Sequence, residues 1–227
     1  MATPGPLRAT VLVLAKDLRI EAATREVTTT ASFFAVLVVV IASLSFLTGN
    51  AGAAVAPGAI WVSVAFSAVL AISRSWSRER EESALFGLLV SPLPRPAIFA
   101  GKALGILAFL GVVEALVIPA TALLFGLDLT ALGPGLIVVA LVASPGIAAS
   151  GALFGAMTVR TRARDLVLAI VLFPLLSPTL LAAVAATREL VQGAHLAELS
   201  DYLVLMSAFD VVFWLGGATM FGALVEG

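Results

Sequence analysis

Two acidic residues lie inside long apolar segments of this 227-residue chain. Glu114 stands within "FLGVVEALVIPATALLFG" and Asp210 within "SAFDVVFW". At the centre of a bilayer an ionised carboxylate costs roughly 2.5–3.5 kcal/mol on insertion scales, so it faces protein or a water-filled path, or takes up a proton. Both residues are therefore candidates for lining a transport path or an interface that changes between states. A structural hydrogen bond to a neighbouring helix is the alternative.

The densest polar stretch is "RSWSREREESALFGLLVSPLPRP", residues 74–96, which separates two apolar segments. Its acids, Glu79, Glu81 and Glu82, precede an apolar group, and acids stabilise the first turns of a helix. Prolines follow, and a residue without an N–H ends a helix. The pattern predicts a short helix over about 78–91. Its apolar end should rest on the membrane, the bundle or a partner, and a solvated connecting loop is the alternative. The apolar group comprises Leu85, Phe86, Leu88, Leu89 and Val90.

Several kinds of chemistry are excluded by residue content. The chain has no cysteine, so disulfides, thiolate metal sites and iron–sulfur clusters do not form within it. "GKALG" at 101–105 lacks the upstream glycine loop of a phosphate-binding motif, so the chain alone does not hydrolyse ATP. The single histidine, His195, lies in the polar stretch "VQGAHLAELSD" and is interpreted as a surface residue. We expect a non-catalytic subunit that binds no cofactor or metal by itself.

The segments that position these residues are long and apolar. Hydrophobic residues make up 61% of the chain and charged residues 12%, which indicates an integral membrane protein. Continuous apolarity rather than strand-like alternation favours helices, so the fold class is all-α, a single transmembrane domain over 1–227. Six segments are long enough to cross a bilayer. They are 31–49, 58–74, 98–126, 134–158, 166–187 and 202–225.

Basic residues are distributed unevenly between the two sides. Of the 13 Lys and Arg residues, all but Arg188 fall before the first span, within 74–102 or within "VRTRARD" at 159–165. Positively charged loops stay in the cytoplasm, so both termini are predicted to be cytoplasmic. Trp61, Trp76 and Tyr202 stand near predicted span ends, where an aromatic belt would place them.

Residues 7–26 form a candidate interfacial helix. One helical face carries apolar side chains, while Lys16, Arg19 and Arg25 lie elsewhere, so the segment is predicted to lie along the inner membrane surface. The apolar face consists of Leu7, Val11, Leu14, Leu18 and Ala22.

Small residues and prolines mark the apolar segments. Pairs of small residues four apart allow close helix contact, either within one bundle or between two copies. These pairs are Gly101 with Gly105, Gly151 with Gly155, and Ala218 with Gly222. Prolines bend spans three to five, either as static shape or for alternating access. They are Pro119, Pro145, Pro174 and Pro178.

Five sequence blocks carry a family resemblance. "REREESALFGLLVSPLPRPAIFAGK" resembles the segment that joins the second and third helices of ABC-2-type permeases and docks into an ATPase subunit. With "AKDLRIEAATRE", "PGAIWVSVAFSAVLAISRSWSREREES", "ALFGAMTVRTRARDLVLAIVLFPLLSPTLLAA" and "AFDVVF", it resembles the CcmB family, the haem exporter protein B permeases of cytochrome c maturation. The resemblance covers essentially residues 12 to 225.

The resemblance implies a six-helix ABC-2-type permease bundle with a cytoplasmic coupling segment at 75–97. Its implied ATPase-coupling residues are Arg78, Glu79, Arg80, Glu81, Glu82, Leu85, Phe86, Leu88 and Leu89. It further implies a homodimer in the bacterial cytoplasmic (inner) membrane, in contact with membrane lipids and without nucleic acid.

The implied partners are a CcmA-type ATPase that holds ATP, CcmC- and CcmD-type membrane proteins and a CcmE-type haem chaperone. The implied function is haem export or ATP-driven release of the haem-loaded chaperone, with haem a candidate substrate of the complex. An ABC-2-type exporter of a lipid, drug or glycan is the alternative, because it would have the same physical features.

Overall fold

The computed structural model describes residues 4–46, 52–81, 87, 90–158 and 164–226, with the backbone alone at 77–81, 158, 164–169 and 226. Within these ranges all regular structure is helical, so the predicted all-α class is confirmed. A 3₁₀ turn, Leu196–Leu199, precedes the last helix. The α-helices are α1 (Pro6–Thr24), α2 (Glu26–Ser45), α3 (Gly52–Glu81), α4 (Arg95–Phe125), α5 (Leu129–Thr158), α6 (Arg164–Val191) and α7 (Ser200–Glu226).

Helices α2 to α7 each contain a stretch long and apolar enough to cross a membrane. Several helix ends differ from the predicted spans: α2 begins early, at Glu26, and ends early, at Ser45, while α3 runs on to Glu81. A helix continues past the hydrocarbon layer at no cost, because its backbone hydrogen bonds stay internal on both sides of the boundary. Hydropathy therefore locates the core of each helix better than its ends.

The junction of α1 and α2 is a single residue, Arg25, in the left-handed conformation (φ 54°, ψ 17°). Its backbone N–H donates to the carbonyl of Glu21 at 2.6 Å. The Glu21 carboxylate accepts a hydrogen bond from the N–H of Thr28 at 2.7 Å. One of the N–H groups left unpaired at the start of α2 is thereby satisfied, which fixes how the chain enters the first span.

The turn between α4 and α5 is set by a glycine and an aspartate. Gly126 has a φ of 69° and ends α4, since a left-handed residue closes a helix with little strain when it is glycine. Asp128 precedes α5, and its Oδ1 accepts hydrogen bonds from the hydroxyl and the N–H of Thr130 at 2.6 and 2.9 Å. The hydrogen bond from the Thr130 hydroxyl is the main reason that the pKa of Asp128 lies below its ordinary value. The backbone N–H groups of Thr130 and Ala131 contribute less.

Helix α5 is the centre of the bundle and packs against α3, α4, α6 and α7. On its face toward α3, Gly151 and Gly155 receive the side chains of Ile72 and Trp76, and a methyl group at either glycine would collide with them. The first span, α2, packs on α3 and α4. The second small-residue pair of the sequence therefore serves packing within one chain.

Helix α1 follows the first half of α4 lengthwise. Gly101 lies against Val13, where a methyl group would collide with the valine side chain. A methyl group at Gly105 would lie 3.5 Å from the Asp17 carboxylate. The buried stripe of α1 is Ala9, Val13, Asp17 and Glu21. The predicted apolar face points away from the bundle: Leu7 is 83% exposed and Val11 59%. The first small-residue pair thus seats α1 on α4, and the apolar face of α1 stays available to lipid.

Two of the three predicted belt aromatics belong to the core. Trp61 and Trp76 are each 3% exposed, and the Trp61 indole donates to the hydroxyl of Thr187 at 2.8 Å. Trp76 packs beside Phe221 with ring centroids 6.3 Å apart. Placing both tryptophans against lipid was wrong, because each finds its polar or aromatic partner on another helix.

Candidate functional site

The two intramembrane acids converge on one stretch of the central helix. The Glu114 carboxylate on α4 accepts a hydrogen bond from the hydroxyl of Ser144, and the Asp210 carboxylate on α7 lies against Gly146. Ser144 and Gly146 flank Pro145. Residues two apart on an α-helix point about 200° apart, so the two acids approach α5 from opposite sides of the same proline.

This stretch of α5 is weakened as a helix. Pro145 has no N–H, so the helix lacks one internal hydrogen bond there and bends more easily. Among the described residues, Asp210 Oδ1 is buried without a hydrogen-bond partner, whereas Glu114 is paired and only 8% exposed. A bend at Pro145 would separate Glu114 from Ser144 and change the surroundings of the Asp210 carboxyl. The arrangement can therefore couple helix movement to a change in hydrogen bonding or proton occupancy.

The Glu114 side chain also reaches an open groove of about 600 Å³ between α4 and α5. Ile137 and Leu141, on the α5 side of this groove, are 58% and 69% exposed, so the groove faces the surroundings of the bundle. Its lining is apolar apart from Glu114. The other lining residues are Gly111, Ala115, Ile118, Pro119, Leu129, Gly133, Pro134 and Ala140.

A buried ion pair joins α1 to α4 near the end of α3. Lys102 is 1% exposed, and its Nζ lies 2.9 Å from Oδ2 of Asp17. The same ammonium lies 5.5 Å from the centre of the Trp76 ring, and the Lys16 ammonium lies 3.3 Å from Asp17 Oδ1. Three helices thus meet at one buried charge. Trp76 lies at the start of the predicted coupling segment, 75–97.

The sequence patterns did not identify this ion-pair cluster, which consists of Asp17, Lys102 and Trp76. Lys102 falls within the basic stretch 74–102 and Asp17 within the candidate interfacial helix 7–26, and neither position alone indicates a buried pair. A usable signal was present, because Lys102 interrupts the apolar run "AIFAGKALGIL" directly beside a glycine that allows a helix to approach. A buried lysine requires an acidic partner.

The predicted ATPase-coupling residues fall partly inside the described backbone. Residues 78–81, namely Arg78, Glu79, Arg80 and Glu81, form the last turn of α3, so helix α3 continues where the sequence predicted the start of a new one. Arg and Glu are good helix formers, which explains why α3 does not break there. Glu82, Leu85, Phe86, Leu88 and Leu89 lie outside the described residues.

The prolines after this segment have different roles. Pro94 is extended and precedes α4, whereas Pro96 stands in the first turn of α4. A missing N–H costs nothing in a first turn, because that N–H has no helical partner. Pro96 therefore opens α4 and does not end the preceding helix, which corrects the predicted role of the third proline.

Haem or metal ligation finds little support in the described ranges. His195 is exposed at the start of the 3₁₀ turn, where its N–H donates to Glu198 at 3.3 Å. Across the part of the chain that the structure describes, His, Cys, Asp and Glu residues form no group of three that would hold a metal ion. The absence of a cofactor bound by this chain alone stays a prediction.

In the described ranges, six long apolar helices with the weakened α5 at their centre define a multi-pass membrane protein. A family model described as "CcmB protein" matches residues 8–223, and the chain belongs to this family.

Curated relatives agree with the family match. The chain is 32% identical over 160 residues to "Heme exporter protein B" of Paracoccus denitrificans, covering 69% of this chain and 70% of the relative. It is 28% identical over 137 residues to the protein of the same name in Pseudomonas aeruginosa, covering 60% and 61%. The Bradyrhizobium diazoefficiens protein of that name is 26% identical, with the same coverage.

Proposed function

We propose that this chain is the membrane permease subunit of an ABC transporter for cytochrome c biogenesis, and that the complex exports haem or releases a haem-loaded chaperone. The observation that carries the proposal is the CcmB family match across residues 8–223, together with relatives named for haem export. In the assembly that we propose, two copies lie in the cytoplasmic membrane of a bacterium with their termini inside. A CcmA-type ATPase, CcmC- and CcmD-type proteins and a CcmE-type chaperone complete it.

The helix connections support a mechanical role for the subunit. The coupling segment, 75–97, overlaps both neighbouring helices, since α3 ends at Glu81 and α4 begins at Arg95. The ion pair of Lys102 and Asp17 links this end of the bundle to α1. Movement of the coupling segment would reach α3, α4 and α1 together. Helix α4 would then transmit it through Glu114 to the weakened part of α5.

The proposed function is tested by complementation. We expect this chain, expressed with the ATPase, CcmC-, CcmD- and CcmE-type proteins of its own source, to restore covalent haem attachment in a bacterial strain lacking its CcmB-type subunit. The measurement is haem staining of a reporter cytochrome c, with an ATPase-inactive partner as the control. Failure to restore it, with nucleotide hydrolysis stimulated instead by a lipid, drug or glycan, would support the exporter alternative.

Glu114→Gln tests the role of the intramembrane acid. Glutamine keeps the size of the side chain and can still accept a hydrogen bond from Ser144, but it removes the charge and the proton site. We expect reporter maturation to fall about tenfold at unchanged expression, equivalent to about 1.4 kcal/mol, because the ionisable group is lost while the hydrogen bond is kept. Reporter haem is measured against the amount of subunit in the membrane.

Ser144→Ala is the matched control for Glu114→Gln, since it removes the hydrogen bond and keeps the acid. We expect a smaller loss of maturation from it. Equal losses in the two variants would make the hydrogen bond, not the charge, the functional element. Normal maturation with Glu114→Gln would remove Glu114 from the mechanism.

A further inference from the structure

A groove separate from the Glu114 groove lies beside the junction of α1 and α2. Its volume is about 340 Å³, and its walls come from α1, α2 and α4. One part of the lining is polar and comprises Glu21, Arg25, Thr28 and Thr29, while α4 contributes apolar side chains. The Glu21 carboxylate already accepts a hydrogen bond from the N–H of Thr28. The full lining is Leu18, Glu21, Ala22, Arg25, Thr28, Thr29, Ala108, Phe109 and Val112.

The polar part of the groove is held in place by the backbone. Arg25 is exposed and adopts a left-handed conformation, which costs free energy for any residue except glycine. The short hydrogen bond from its N–H to Glu21 keeps this conformation. A guanidinium group with neighbouring threonine hydroxyls offers several hydrogen-bond donors. This is the combination that recognises a phosphate group.

Neighbouring contacts locate the boundary between polar and apolar surroundings at this groove. Glu26 and Arg74 form an ion pair at 3.1 Å, with side chains 52% and 54% exposed, so charged groups are solvated at this level. Directly after Glu26 and about one turn before Arg74, Val27 and Ala71 pack together with Phe109 in a small buried apolar cluster. Charged and apolar side chains therefore meet at Glu26 and Val27, the two residues that follow Arg25.

The apolar wall continues from this boundary along α4. Ala108 and Val112 are one helical turn apart and face the same way, and Val112 is 42% exposed. Leu18, at 38% exposed, adds an apolar contact from α1. The groove therefore offers donors at one end and an open hydrocarbon surface at the other. A glycerophospholipid has the same order of groups, with its phosphate at the membrane surface and its acyl chains inward.

We propose that this groove binds one glycerophospholipid molecule, with its phosphate at Arg25 and Thr29 and an acyl chain along Ala108, Phe109 and Val112. The lipid would occupy the space between α1 and α4 and stabilise the strained junction before the first span. This site does not depend on the transported substrate, so it can be tested on the purified chain.

The test is native mass spectrometry of the full chain in mild detergent, after incubation with a 3:1 mixture of phosphatidylethanolamine and phosphatidylglycerol. We expect one retained phospholipid per chain. Arg25→Asn keeps a residue that tolerates the left-handed conformation and should weaken retention about tenfold, as the loss of a charge-assisted hydrogen bond does. Arg19→Asn, at an exposed residue of the same helix outside the groove, should leave retention unchanged.

A second pair of variants tests the apolar half of the groove. Ala108→Phe fills the groove and should abolish retention, whereas Ala23→Phe adds the same bulk at an exposed position of α1 outside it. Diacylglycerol with the same chains and inorganic phosphate alone should each be retained poorly. The proposal is overturned if Arg25→Asn or Ala108→Phe retains phospholipid as the unmodified chain does, if Arg19→Asn loses it equally, or if diacylglycerol binds as well as phospholipid.

Discussion

Replacing Lys102 with methionine is expected to lower the free energy of unfolding by about 3–5 kcal/mol, because it leaves a buried carboxylate without its cation. Methionine has nearly the same length, so packing changes little. Asp17 is 8% exposed and Lys102 1%, and their charged atoms lie 2.9 Å apart. Lys16 remains 3.3 Å from Asp17 and is 31% exposed, so it compensates in part and favours the lower end of that range. Thermal unfolding of the chain in a fixed detergent measures the loss.

Three further variants separate the ion pair from general damage. Asp17→Asn alone should also destabilise, since it leaves the Lys102 ammonium buried. The double variant Asp17→Asn with Lys102→Met should recover a large part of the loss, because removing both charges also removes the cost of burying them. Lys16→Met should cost at most about 1 kcal/mol, as for partly exposed pairs. Additive losses in the double variant would contradict a coupled pair.

The ion pair of Asp17 and Lys102 also illustrates which parts of the fold can be predicted from the sequence. The six spans follow from apolar length, since any segment that crosses lipid must satisfy its own backbone. That requirement is met within each segment, so it can be applied without knowing which helices pack against one another. The pairing of Asp17 with Lys102 depends on α1 packing lengthwise on α4 at Gly101, a contact between distant parts of the chain that no local pattern contains.

The same limit applies to the intramembrane site. Glu114 and Asp210 stand out in the sequence because acids are rare in apolar segments. Their convergence on either side of Pro145 depends on the order of helices around α5, which hydropathy does not encode. Trp61 and Trp76 illustrate the opposite error, because a position near a span end was taken as a lipid-facing position although both side chains point inward.

Replacing Leu88 and Leu89 together with aspartate is expected to abolish co-purification of the ATPase subunit. If these residues form the apolar centre of the docking surface, each aspartate places an unpaired charge against an apolar groove, at a cost of several kcal/mol. About 4 kcal/mol already weakens a dissociation constant roughly a thousandfold. The measurement is the ratio of ATPase to permease after affinity purification from membranes.

The position of the coupling segment between α3 and α4 makes this double variant selective. Leu88 and Leu89 lie outside the six spans predicted from the sequence, so insertion into the membrane should be unchanged and the permease should be recovered in normal amount. Leu196→Asp, at a half-exposed leucine of the 3₁₀ turn near the other end of the bundle, is the matched control and should keep the ATPase bound. A normal ATPase ratio with Leu88→Asp and Leu89→Asp would mean that the partner contacts another surface. In that case the ATPase would have to move α3, which is continuous from Gly52 to Glu81, through a contact on the side of the helix and not through the segment at its end.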